Sequence, residues 1–168
     1  MADPHIQSPM DNWDIVSVVI YRSGFFLASA AFILLPWHFE LSRFGIMIAA
    51  ALTASSLHIY IKSIRTILQY AAWIGLIFAL LGWPTFGLGW ALVTLGGLAY
   101  KENYCFNVPG LKLQPIICAL LWLSVFFNWP LISYILAVLS GILFAMLSIK
   151  KVHMPLHFDI GDKSKYEK

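Results

Sequence analysis

Six runs of mostly apolar residues, each close to the length of a membrane span, constrain this chain more than any other feature. The runs cover residues 15–37, 45–62, 66–83, 85–100, 113–129 and 131–149. A helix needs about 20 apolar residues, or about 17 at the short end, to cross a bilayer. The run 85–100 is the shortest, at sixteen residues, and needs its neighbours or a thinner bilayer to accommodate it. The sequence predicts an all-α, polytopic transmembrane helical bundle with six spans.

Composition supports a membrane protein over a soluble one. Of the 168 residues, 60% are hydrophobic and 11% are charged, against about 45–50% apolar and 25% charged in soluble domains. A soluble domain of this size could not bury so much apolar surface in one core, so the expected surrounding is a lipid bilayer. The net charge of +3 is modest and the basic residues border the apolar runs, a pattern that argues against nucleic acid as a partner.

The Lys and Arg residues fall almost entirely on one side of the six predicted spans. Ten of the eleven lie on that side, and only Arg43 lies on the other. Short cytoplasmic loops retain Lys and Arg while translocated loops exclude them, so both termini are expected in the cytoplasm. Fusing the third and fourth runs into one span would place the termini on opposite sides and mix the charges.

The expected organisation is a single membrane domain with short polar ends. Residues 1–14 form a cytoplasmic N-terminal segment, residues 15–149 the transmembrane domain and residues 150–168 a cytoplasmic polar tail. The first fourteen residues contain three aspartates and no Lys or Arg, which is the wrong charge for the start of a secretory signal peptide. The first span is therefore expected to remain in the mature protein.

Each outer turn pairs a proline with a tryptophan, at residues 36–37, 83–84 and 129–130. Proline ends a helix because it lacks an N–H donor and clashes with the preceding turn, and tryptophan favours the headgroup boundary. The sequence therefore predicts three helical hairpins. Both an ancestral triplication and convergent turn chemistry account for the repeat, and convergence is the simpler explanation.

Arg22 is the residue that fits least well as a simple orientation signal. If the first span begins near residue 15, Arg22 lies about seven residues inside it, or about 10 Å deep at 1.5 Å per residue. Its side chain either extends to the cytoplasmic headgroups or pairs inside the bundle. The expected counter-charge is Glu102, in the segment 100–107 between the fourth and fifth spans.

Segment 100–107 is predicted to be the longest inner loop, and it concentrates polar groups. Together with residues near the same end of the bundle it defines a candidate binding cluster, which consists of Arg22, His58, Lys101, Glu102, Tyr104 and Cys105. The alternative is that Lys101 only orients the protein and Glu102 is its solvated neighbour.

The sequence predicts neither a metal site nor a cofactor. His58 is expected to be a buried neutral histidine bonded to a serine or a carbonyl, with a proton relay or a haem ligand as the alternatives. A haem would need a second axial ligand at matching depth, and none is found. His153, His157 and Asp159 give a weak metal hypothesis, because Pro155 interrupts the helical register that a His pair would use.

Two short motifs resemble a known family. Tyr21-Arg22-Ser23-Gly24, and the stretch from Gly97 to Glu102 that runs into Cys105-Phe106, are similar to the bacterial integral membrane proteins grouped as domain of unknown function 2301. The resemblance covers roughly residues 15–150. It implies a protein of the bacterial inner membrane and draws attention to these two segments, but the family has no assigned activity and implies no substrate.

Three functions remain open. The preferred one is a non-enzymatic membrane module that binds a partner or supports assembly, either as a homo-oligomer or with another membrane protein. The first alternative is a small-solute transporter or channel subunit with its polar cluster at the cytoplasmic mouth. The second alternative is a membrane enzyme acting on a lipid or a quinone, although the sequence contains no nucleophile elbow, phosphate-binding glycine loop or HExxH motif.

Overall fold

The computed structural model describes residues 9–57 and 59–166, apart from the side chain of Lys165. Within these residues the fold is all-helical, with seven α-helices and no strands, which confirms the predicted class. The helices are α1 (Asn12–Leu34), α2 (Phe39–Ser55), α3 (Lys62–Leu80), α4 (Pro84–Phe106), α5 (Gln114–Phe126), α6 (Pro130–Val152) and α7 (His157–Ile160). Short 3₁₀ turns at Leu111–Leu113 and Lys163–Lys165 precede α5 and follow α7.

Three of the described helices are both long and apolar enough to cross a membrane. These are α1 and α6, with 23 residues each, and α3, with 19 residues. Helix α2 has 17 residues, and the apolar segment Leu111–Phe126, which includes α5, is also shorter than a full span. The helices therefore differ in length more than the apolar runs predict.

Segment 100–107 is mostly helix and not the predicted loop. Helix α4 continues through it to Phe106 and has 23 residues, whereas the fourth run predicts the shortest segment. The helix continues because Leu98, Ala99 and Glu102 extend its buried face by one more turn. It ends at Asn107, whose φ of 42° is the left-handed conformation that asparagine tolerates at helix ends.

Two of the three proline–tryptophan turns have the same hydrogen bonds. After α3, Gly82 adopts a φ of 83° and the Trp83 N–H donates to the Phe78 carbonyl at 2.9 Å. After α5, Asn128 adopts a φ of 55° and the Trp129 N–H donates to the Ser124 carbonyl at 2.8 Å. Both are Schellman motifs, and a proline in the first turn then starts the next helix. The turn after α1 is built differently, with its bonds accepted by Phe32 and Leu34.

The helices form one bundle in which α4 packs against α2, α3, α5 and α6, and α1 packs against α2 and α6. Stacked rings of Phe25, Phe32 and Phe144, all fully buried, fill the space between α1 and α6. Helices α3 and α4 are in close contact at Gly75 and Gly87, where a Cβ on Gly87 would lie 2.6 Å from the Gly75 carbonyl oxygen. The bundle is therefore close-packed at its centre.

The two ends of the bundle differ in chemistry. The proline–tryptophan turns define one end, which we call the tryptophan end. At the other end the tail returns to the helices: the Asp162 N–H donates to the Tyr60 hydroxyl at 2.8 Å, and Lys163 pairs with Asp14 at the start of α1. We call this the ion-pair end.

Candidate functional site

Five charged side chains from α1, α4, α6 and α7 form a continuous series at the ion-pair end. Lys101 Nζ lies 2.7 Å from Glu102 Oε1, and Glu102 Oε2 lies 2.8 Å from Lys151 Nζ. Lys151 also pairs with Asp159, whose Oδ2 lies 2.6 Å from the Arg22 guanidinium. Cations and anions thus alternate from Lys101 to Arg22, and we call this arrangement the ion-pair chain.

The centre of the ion-pair chain is shielded from solvent. Glu102 and Lys151 are 1% and 0% exposed, whereas the Lys101 side chain remains 28% exposed. Buried charges are costly unless opposite charges and hydrogen bonds compensate them. Here each carboxylate is shared by two cations, which is the compensation that the burial requires. Lys101 is the member most accessible from outside.

Aromatic rings surround the buried ammonium of Lys151. Its Nζ lies 4.9 Å from the ring centroid of Tyr21, 5.6 Å from that of Phe25 and 4.7 Å from that of Phe106. The faces of such rings attract cations. The Tyr21 hydroxyl also donates to Glu102 Oε1 at 2.6 Å. Tyr21 therefore supports both the anion and the cation at the centre of the ion-pair chain.

Arg22 is paired inside the protein, but with a different partner from the one expected. Its Nε donates to Asp159 Oδ2 at 2.6 Å, and its Nη1 and Nη2 donate to the carbonyls of Met154 and Pro155 at 2.9 and 3.0 Å. The expectation that Glu102 is its counter-charge is wrong because Lys101 and Lys151 already occupy both Glu102 oxygens. A planar guanidinium with several donors suits this combination of one carboxylate and two carbonyls.

The polar tail closes over this end instead of extending from it. Asp159 on α7 is 7% exposed and reaches the ion-pair chain. The rings of Tyr60 and Tyr166 meet edge to face at 5.0 Å, and the Tyr166 hydroxyl donates to the Ile160 carbonyl at 2.7 Å. Burial raises the pKa of the Tyr166 phenol, which keeps it protonated as a donor.

A cavity of about 450 Å³ lies beside the exposed end of the ion-pair chain, between α4, the 59–61 segment and the tail. Three residues of the predicted binding cluster, Lys101, Tyr104 and Cys105, line it. Arg22 and Glu102 belong to the ion-pair chain, to which the cavity-lining residues Lys101 and Asp159 also belong. The structure thus brings five of the six predicted residues to one end, while the sixth, His58, lies outside the described residues.

The weak metal hypothesis receives no support from the geometry. The His153 ring contacts the Ile149 carbonyl at 2.8 Å, and the Asp159 oxygens are engaged by Arg22 and Lys151. Among residues 9–57 and 59–166, no group of three His, Cys, Asp or Glu side chains is close enough to hold a metal ion.

Comparison with known proteins identifies the family. The model of an uncharacterized integral membrane protein family, DUF2301, matches residues 76–167. An uncharacterized protein of Haemophilus influenzae is 53% identical over 167 residues, covering 99% of each chain. The chain belongs to the DUF2301 family. This confirms the resemblance seen in the two sequence motifs and shows that the chain is an integral membrane protein. No solved structure matches it.

Sequence patterns did not assign three residues of this DUF2301 site to the binding cluster, namely Lys151, Tyr21 and Asp159. Lys151 reads as an orientation signal, although it lies on the same helix face as Phe144 and Leu147, which are fully buried. That spacing of seven and four residues was the available signal. Tyr21 was visible only as part of the motif with Arg22. For Asp159, sequence spacing carried no signal, because only the folded tail brings it to Arg22.

Proposed function

We propose that this DUF2301 protein is a six-span, multi-pass protein of the bacterial inner membrane, arranged as three hairpins with both termini in the cytoplasm. It acts there as a non-enzymatic module that binds a protein partner, or a second copy of itself, at its ion-pair end. That end faces the cytoplasm, and the tryptophan end faces the opposite side.

The distribution of basic residues supports this orientation. Arg43, the single Lys or Arg expected on the outer side, lies near the start of α2. It is paired with Glu40 and its guanidinium carbon lies 5.5 and 5.8 Å from the ring centroids of Phe39 and Phe44. The basic residues of the ion-pair end outnumber it strongly, and the positive-inside rule counts Lys and Arg without regard to acidic neighbours.

Six spans remain compatible with the shorter helices. Helices α2 and α5 are short for a full bilayer, but local thinning and packing against longer neighbours accommodate such mismatch at modest cost. Helix α4, with 23 residues, has the length of a full span despite its polar final turn.

The functional proposal rests on the observation that every buried charge of the ion-pair chain contacts an opposite charge. The charged groups that a transport path would use are bonded to one another at one end of the bundle. Below them, large rings such as Phe25 and Phe144 fill the core. Buried charges that bond to one another, with exposed residues around them, fit a docking surface better than a solute pathway.

A photocrosslinking pair tests this proposal. A benzoylphenylalanine probe replaces Tyr104 at the ion-pair end or Trp83 at the tryptophan end, two aromatic residues that are each 59% exposed. We expect the Tyr104 probe to yield one defined protein adduct that also copurifies in a reciprocal pull-down, and the Trp83 probe to yield lipid adducts. Lipid adducts alone from both positions would contradict the proposed binding of a partner.

A further inference from the structure

The ion-pair chain carries one uncompensated positive charge. It contains three cations and two carboxylates. Lys151 lies between both carboxylates, and the donors of Arg22 are occupied by Asp159 and two carbonyls. Lys101 instead contacts one carboxylate oxygen and lies 5.4 Å from the Tyr21 ring centroid. The excess charge is therefore localised at Lys101, which faces the cavity of about 450 Å³.

That cavity is amphipathic. Lys101, Tyr100 and Tyr104 supply an ammonium group and two hydroxyls, and the Tyr104 hydroxyl donates to that of Tyr100 at 2.7 Å. The carboxylate of Asp159 also lines this cavity, but Arg22 and Lys151 already neutralise it. The opposite wall is apolar and includes Ile61 and Ile64, which are about half exposed. Such a space suits a ligand whose anionic group is attached to an apolar body.

A second cavity lies along α4 next to the first. It has a volume of about 590 Å³, lies between α3, α4 and α5, and shares Gly97 with the first cavity. From Gly97 its lining extends along α4 to Phe86. The eight helical steps from Lys101 to Val93, at 1.5 Å each, correspond to about 12 Å. This lies within half of the roughly 30 Å hydrocarbon thickness, the depth of the acyl chains of one leaflet.

We propose that the two cavities together bind an acidic phospholipid of the surrounding membrane. Its phosphate lies against Lys101 and the tyrosine hydroxyls, and one acyl chain follows α4 past Gly97 and Val93. Charge complementarity selects this occupant, because the polar end of the site carries the excess cation and the remainder is apolar. The inference rests on the proposed function only in placing the ion-pair end at a membrane surface.

The headgroup arm of the test uses native mass spectrometry of the detergent-solubilised protein with phosphatidylglycerol or phosphatidylcholine of identical acyl chains. We expect about fivefold tighter retention of phosphatidylglycerol, the gain typical of one lysine near a lipid surface. Lys101→Gln removes this preference, whereas Lys112→Gln, an exposed lysine at the same end, keeps it. Equal retention of both lipids, or an unchanged preference in Lys101→Gln, would overturn the proposal.

The acyl-chain arm separates a lipid from a free anion and from a second copy of the chain. Val93→Trp fills the α4 cavity, and Val19→Trp is its control because the two valines are 51% and 52% exposed. We expect Val93→Trp alone to weaken retention of both lipids at least fivefold. If equimolar glycerol phosphate displaces phosphatidylglycerol, the occupant is a free anion and not a lipid. If the wild-type protein is a dimer and Val93→Trp dissociates it, the occupant is a second copy of the chain. If the protein selects phosphatidylglycerol but the photocrosslinking probe at Tyr104 gives no protein adduct, the lipid site stands and only the proposed protein partner is rejected.

Discussion

Arg22 and Asp159 are 137 residues apart in the chain, yet Arg22 Nε donates to Asp159 Oδ2 at 2.6 Å. The contact joins the first long helix to the tail, and the carbonyls of Met154 and Pro155 accept the remaining bonds of the same guanidinium. Because Asp159 also binds Lys151, this pair connects the tail to the centre of the bundle. The tail is therefore part of the folded membrane domain and not an appendage of it.

Replacing Asp159 with asparagine tests the energetic importance of this connection. Asp159→Asn leaves the buried Arg22 guanidinium without its carboxylate and removes one of the two carboxylates of Lys151. Breaking a buried ion pair from one side typically costs about 3–5 kcal/mol. We expect a loss of that size in the free energy of unfolding, measured by SDS titration in mixed micelles.

An exposed ion pair provides the control for that variant. Glu40 pairs with Arg43, but its side chain is 67% exposed, and such surface pairs contribute about 0–1 kcal/mol. Glu40→Gln should therefore change the unfolding free energy by less than about 1 kcal/mol. A similarly small loss in Asp159→Asn would mean that the ion-pair chain does not stabilise the fold.

The Tyr60 hydroxyl is expected to hold the end of the tail in place. Tyr60→Phe removes the acceptor of the Asp162 N–H, a loss of about 1 kcal/mol for a typical hydrogen bond. We expect trypsin to cleave after Lys163 about fivefold faster in this variant, because the cleavable open state becomes more populated. Tyr70→Phe is the control, since Tyr70 is 64% exposed on α3. Equal cleavage rates in both variants would show that this bond does not restrain the tail.

The two free cysteines allow a direct test of orientation. Cys105 is exposed at the ion-pair end, whereas Cys118 is buried. We expect a membrane-impermeant maleimide to label Cys105 in inverted vesicles and not in intact spheroplasts. Cys105→Ser should abolish the labelling, because Cys118 is 2% exposed. Labelling of Cys105 in intact spheroplasts would place the ion-pair end outside and reverse the proposed topology.

The helical class and the position of the site were predictable because both depend on local sequence. Apolar runs identify helices, and the pairing of proline with tryptophan marks the turns at Trp83 and Trp129. The depth of Arg22 within the first run left two possibilities open, extension to the headgroups or pairing inside the bundle, and the structure shows the pairing. The prediction failed for segment 100–107 because its polar residues resemble a loop, whereas buried partners keep Glu102 on a helix.

The pairing within the site was not predictable from sequence, for a physical reason. Glu102 is next to Lys101 in the chain, but its second partner, Lys151, comes from α6, and that partner excludes Arg22. Which cation reaches which carboxylate depends on the packing of four elements. The charge pattern assigns Lys151 to the orientation signals, yet Lys151 is fully buried and central to the site.

The most direct test of the ion-pair chain is a pair of double-mutant cycles measured as unfolding free energies in mixed micelles. One cycle combines Arg22→Gln with Asp159→Asn, and the other combines Arg22→Gln with Glu102→Gln. Because only the first pair is in direct contact, we predict a coupling energy of about 2 kcal/mol for it, within the range for contacting residues. The second cycle should give less than half of that value. Equal coupling in the two cycles, or stronger coupling between Arg22 and Glu102, would contradict the arrangement described for this site.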